Sequence, residues 1–236
     1  VSDFTTKKRA RLGPTRAAMT DVLGNNDCGN LLQPLWPTKG MVWPYTPNVT
    51  FGGQANYSSY HFTHSNYQFH NFQNSAPEFL QVAGTFTAQT NEEARYMVAM
   101  MRFLRGATMM EFGIPAAQRG LAGTPPPVLR FNYLGAHMFN NIPVVVNNFN
   151  FTLEDSVDYT EVQLPTTNGL GLGGLASSFN DFIFGDSITP EGNRTWVPTR
   201  MMLVVSLLVQ QNTRNVRENF DLADFKRGAL INKGFV

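Results

Sequence analysis

One cysteine, Cys28, is the only thiol in this chain of 236 residues. A single thiol excludes a disulfide framework within the chain and fits a reducing compartment. Cys28 lies in a Gly/Asn-rich stretch with no histidine close by, which argues against a catalytic thiol. Charge is also scarce. Charged residues make up 15% and the net charge is +1, so no global field draws nucleic acid or an anionic membrane. No apolar run reaches the ~18 residues that span a bilayer, and no signal peptide is read at the N-terminus. Membrane insertion is therefore not expected. There are only 4 histidines. His61, His64 and His70 invite a metal reading, but on one strand His61 and His64 point to opposite faces, and further ligands are missing. The segment 169–174 mimics a phosphate loop but lacks the Lys-Ser/Thr that such a loop requires. Asp155, Asp158 and Glu161 read as a solvated hairpin end rather than an acid pair. With no catalytic constellation left, the expectation is a protein that is not an enzyme and needs no cofactor or metal.

What is present is apolar and aromatic. Hydrophobic residues make up 42%, with 19 Phe and 20 Gly, enough for a real core at this length. Low charge beside abundant Asn, Phe and Gly is what subunit contacts would select, since interface cores disfavour charge. A polar, uncharged β-surface would look the same. Asn-x-Ser/Thr triplets at Asn48, Asn56, Asn150 and Asn193 are too easily met by chance here to imply secretion. The local basic run Lys7, Lys8, Arg9 and Arg11 reads as a solvated tail or a nucleic-acid-binding arm.

Residues 1–40 look irregular, broken by Gly and Pro. Residues 41–236 read as a β domain. Aromatics crowd 57–72, where Tyr67 and Phe69 alternate with polar residues. In 79–86, Leu80, Val82 and Phe86 share one apolar face. Further strands are expected over 128–134, 142–153, 159–164 and 196–210. The segments 142–153 and 157–164 are expected to pair as a hairpin, as are 62–72 and 79–86. The Gly-rich stretch 165–193 is a long loop insertion. Its Leu170, Leu172, Leu175 and Phe179 are costly to expose and are expected to reach a neighbouring subunit or ring.

One helix is well signalled, over 91–105. Thr90 and Glu93 form a capping box, and Glu92 and Glu93 sit at the positive end of the helix dipole. Ala94, Met97, Met101 and Leu104 make one apolar stripe, expected to pack on a sheet. Gly106 is placed to stop the helix.

Several segments in order resemble a family. They are His64-Ser-Asn-Tyr-Gln-Phe69, Glu92-Glu-Ala-Arg-Tyr96, Arg102-Phe-Leu-Arg105, Pro125-Pro-Pro-Val-Leu-Arg-Phe131 and Asn141-Ile-Pro-Val-Val145. Val157-Asp-Tyr159, Trp196-Val-Pro-Thr199 and Phe220-Asp-Leu-Ala-Asp-Phe225 with Gly228 follow. The order resembles the baseplate tail-tube initiator, or tube–baseplate junction, proteins of contractile-tailed bacteriophages, over residues 45–236. The resemblance implies a mainly β fold with one flanking α-helix. Two packed antiparallel sheets would be tail-tube-like, their inner strands joining a ring β-barrel on oligomerisation. It implies a structural virion protein, assembled in the host cytoplasm, in a hexameric ring that templates tube growth. Its partners would be a baseplate hub protein and a tail-tube protein or second junction ring, with DNA only as passing cargo in the lumen. The lumen is expected to be acidic or uncharged near Glu154, Asp155, Asp158 and Glu161, because a basic wall would hold phosphates. The alternatives are a jelly-roll viral coat protein with a basic N-terminal arm, and a carbohydrate-binding β-sandwich using Tyr57, Tyr60 and Tyr67.

Overall fold

A computed structural model describes residues 8–24, 31–112, 122–164 and 194–236. Nine strands are described: β1 (Arg11–Gly13), β2 (Met41–Val42), β3 (Asn48–Tyr60), β4 (Phe69–Thr87), β5 (Leu129–Tyr133), β6 (Phe139–Leu153), β7 (Tyr159–Gln163), β8 (Arg194–Pro198) and β9 (Arg200–Val209). Among the described residues there are four α-helices: α1 (Met19–Leu23), α2 (Asn91–Ala107), α3 (Thr213–Asn219) and α4 (Leu222–Lys226). Seven strands form one antiparallel sheet in the order β2-β1-β5-β6-β9-β4-β3, and β7 pairs with β8 in a second.

This corrects the expected architecture. The fold is mixed α/β, with four helices among the described residues rather than one flanking helix. Among the described residues both sheets are open and no barrel closes, because β2 and β3 remain unpaired edges of the large sheet. The two short C-terminal helices carry caps that name them locally. Asn212 accepts from Arg214 N at 2.9 Å, and Asp221 accepts from Ala223 N and Asp224 N at 2.8 and 2.9 Å. Such caps satisfy N–H groups left over at a helix start.

Both expected hairpins are also corrected. β6 pairs with β5 and β9, while β7 turns away to β8. Residues 69–87 run as one strand, β4, which pairs with β3. Residues 8–40 are not a free arm where described: β1 lies within the large sheet, and Leu12, Leu23 and Leu35 are fully buried.

Strand alternation gives the large sheet a core face. On β9, Met201, Leu203, Val205 and Leu207 are buried. They match Leu80, Val82 and Phe86 on the same face of β4, as a period of two requires. Trp43 sits in this core, 6.4 Å from both Phe86 and Phe131 by ring centroids. The indole crosses β4 at Gly84, where an added Cβ would lie 2.5 Å from Trp43 Cδ1. Only glycine allows that approach.

Helix α2 starts as its sequence signals. Thr90 Oγ1 accepts from Glu93 N at 3.3 Å, and Glu93 Oε2 accepts from Gln89 N at 2.8 Å. The helix runs through Gly106 instead of stopping there. Its end is capped by Thr108, whose hydroxyl donates to Arg105 O at 3.0 Å. The helix lies against both sheets, touching β4, β6, β7 and β8. Ala94, Met97 and Leu104 are buried on it with Ala99, Met100 and Phe103, while Met101 is half-buried.

The helix is tied to the N-terminal segment through Tyr96, whose hydroxyl accepts from Val42 N at 2.8 Å. Burial raises the Tyr96 pKa above its ordinary value of 10.0, and the hydrogen bond with Val42 opposes the rise in part. A tyrosine that keeps its proton longer when folded stabilises the fold below the unfolded pKa. That contribution is lost as pH rises through the folded pKa. Urea unfolding is expected to show stability falling above about pH 10, and falling less steeply in Tyr96→Phe. Equal slopes in both proteins would contradict this role.

Candidate functional site

The most unusual surface follows from strand length. β4 has 19 residues, but only 80–87 pair with β9. The stretches 53–60 of β3 and 69–77 of β4 pair only with each other. They form a hairpin that overhangs the large sheet by roughly 25 Å, at ~3.3 Å per residue. Both of its edges are free of strand partners among the described residues. Free edges are templates for another chain and are usually blunted by charge. Here the overhang offers aromatic residues in place of charge.

The side chains follow from register. Tyr57 faces Phe72 and Tyr60 faces Phe69. The two pairs lie three residues apart along each strand, an odd number, so they fall on opposite faces and each face carries an aromatic pair. Tyr57 and Phe72 meet edge-on at 5.7 Å, and Phe62 closes on Phe69 at 5.5 Å. All are exposed, at 58% for Tyr57, 54% for Tyr60 and 53% for Phe72. Polar cross-strand pairs keep the hairpin in register. Asn56 donates to Asn74 at 2.8 Å, and Ser59 and His70 hydrogen-bond at 3.0 Å.

The Phe72 face continues into an open apolar groove of about 820 Å³, walled on the other side by Val216, Leu222 and Phe225 of the C-terminal helices and by Phe220 between them. Hairpin and groove together form a contiguous apolar surface of the kind that marks an interaction site.

A second surface bears on what could pass over the protein. The outward residues of the four strands β3, β4, β9 and β6 fall in register. Thr50, Gln81, Ser206 and Asn148 make one row, and Asn48, Ala83, Val204 and Asn150 the next. Thr85, Met202 and Thr152 follow. These rows contain no charged residue. Charge appears at the end of the face, where Arg200 Nε lies 3.7 Å from Glu154 Oε1.

The other residues singled out from sequence are dispersed. Glu154 ends near Arg200, Asp155 and Asp158 are exposed in the turn after β6, and Glu161 lies on β7 opposite Trp196. None of these acids lines the cavities found among the described residues. His70 is bound to Ser59, and no group of three His, Cys, Asp or Glu among the described residues could hold a metal. Leu170, Leu172, Leu175 and Phe179 lie outside the described residues, as do Cys28 and Lys7. Sequence reasoning found the aromatics of the overhang but not their unpaired setting, which depends on where β9 ends. No helix among the described residues is long and apolar enough to cross a membrane. Comparison with models of known protein families and with curated proteins finds no match to the chain.

Proposed function

We propose that the chain is a structural virion protein that forms a ring at the baseplate–tail-tube junction of a contractile-tailed bacteriophage. In this role it is not an enzyme. It offers strand edges and aromatic surface to copies of itself, and presents the ring to a hub protein on one side and a tube protein on the other. A fixed ring lowers the nucleation cost of tube growth. The observation that carries the reading is the overhanging hairpin. Two free strand edges and bare aromatics on both faces are expensive in a monomer and useful in an assembly. The charge-free rows on the outward sheet face support a channel role, since uncharged polar residues do not hold passing phosphates by counterion release. The order of motifs over 45–236 supplies the phage setting, and a hexameric ring is the stoichiometry that goes with it.

The test is negative-stain imaging and native mass of the purified full chain. Rings with a central channel are expected. A monomer at micromolar concentration would contradict the reading, and closed icosahedral shells would favour a coat protein.

A further inference from the structure

On the β2–β1–β5 side of the large sheet, away from the overhang in strand order, a cavity of about 390 Å³ opens between β1, β5, the start of β6 and the turn before β2. Four of its lining side chains are cationic, Arg11, Arg16, Lys39 and Arg130, and no carboxylate lines it among the described residues. In a chain of net charge +1 this is a sharp local concentration. None of the four is bonded to a carboxylate among the described residues.

Hydrogen-bond accounting leaves donors in excess. Arg11 donates to Thr38 O, and Arg130 Nη1 donates to Asn141 O at 3.1 Å. Each guanidinium keeps further N–H groups, since it carries five. Asn132 Oδ1 accepts from Asn141 N at 2.7 Å, so what remains of that amide is its NH₂ donor. The Thr15 hydroxyl makes no capping bond. Arg16 and Lys39 are exposed.

The walls are fixed by backbone. Lys39 and Asn141 both have left-handed φ, at 55° and 54°. A Cβ on Gly13 would lie 2.2 Å from Lys39 O, so β1 presses directly on that turn. Left-handed non-glycine residues persist only where surroundings hold them, and they gather at ligand clamps.

Gathering four cations without counter-charge is unfavourable. One carboxylate would leave most of that charge uncompensated, whereas a phosphate group carries more charge and matches the fork of arginine donors. The volume is at the small end of ligand clefts, ~300–1,000 Å³. We propose that this cavity is a binding site for a phosphate-type oxyanion carrying more than one negative charge, either a free phosphate or polyphosphate or a phosphate of a nucleic-acid backbone.

The experiment is calorimetric titration of the full chain with pyrophosphate at low salt, alongside the double variant Arg16→Ala with Lys39→Ala. Both side chains are exposed and make no hydrogen bond among the described residues, so the unfolding transition of the variant should match the parent. Saturable binding is expected in the parent, and binding weaker by at least about tenfold in the variant, as losing charge-assisted hydrogen bonds requires. A short DNA duplex that displaces pyrophosphate assigns the site to backbone phosphates, and one that does not assigns it to free phosphates. No saturable binding, equal binding by the variant, or tighter competition by a glutamate-rich peptide would each overturn the proposal.

Discussion

Leu104→Asp is expected to unfold the protein or bring it close to unfolding. Leu104 is fully buried on α2, among the largest enclosed side chains of the core. The helix bridges the two sheets, so its buried face serves both. An aspartate there would place a carboxylate within a core whose buried residues, among those described, include no polar or charged side chain. Leaving a buried charge uncompensated costs about 3–5 kcal/mol. That is a large fraction of the ~5–15 kcal/mol by which domains are stable. Urea unfolding of parent and variant checks it. An unchanged midpoint would show that the face of α2 bearing Leu104 does not hold the sheets together.

The double substitution Tyr57→Ser with Phe72→Ser should do the reverse, leaving the fold and removing the assembly. Both residues are more than half exposed, and among the described residues their ring pair is with each other, edge-on at 5.7 Å. Losing that pair should cost the monomer only about 1 kcal/mol. At an interface, buried aromatics are the residues that dominate, at about 2 kcal/mol or more each. Association should therefore weaken by at least about 30-fold per residue. The measurement is the dissociation constant from sedimentation or mass photometry, with the thermal transition as the control. Unaltered association would remove the hairpin from the interface.

Local features of the fold were legible in the sequence, while long-range ones were not. The cap at Thr90 and the alternation of Leu80, Val82 and Phe86 are decided by neighbours in the chain, and both appear as expected. Strand pairing is decided by distant segments. The stretch 159–163 looked like the return arm of 142–153 because it follows directly, yet Asn148 pairs with Ser206 instead. The sequence suggests two strands, over 62–72 and 79–86, where the structure has one strand, Phe69–Thr87. Pro77 is tolerated because it sits opposite Gly53 beside a bulge, beyond the reach of β9, where its missing N–H leaves no ladder bond unmade. The C-terminal helices are too short to show a hydrophobic period, and only their Asn212 and Asp221 caps announce them. The cationic cavity left no local signal at all, since Arg11, Lys39 and Arg130 meet only once β1, β5 and the turn before β2 have assembled.

The central claim is that the overhanging hairpin is covered by a neighbouring copy in the assembled state. Amide hydrogen exchange along β3, measured on assembled and on dissociated protein, tests it most directly. The outward amides of Asn48–Tyr60 have no strand partner among the described residues. The account predicts that they exchange quickly when dissociated and become protected on assembly, with the Tyr57 and Phe72 region protected alongside them. Equal, rapid exchange of the β3 edge in both states would contradict it.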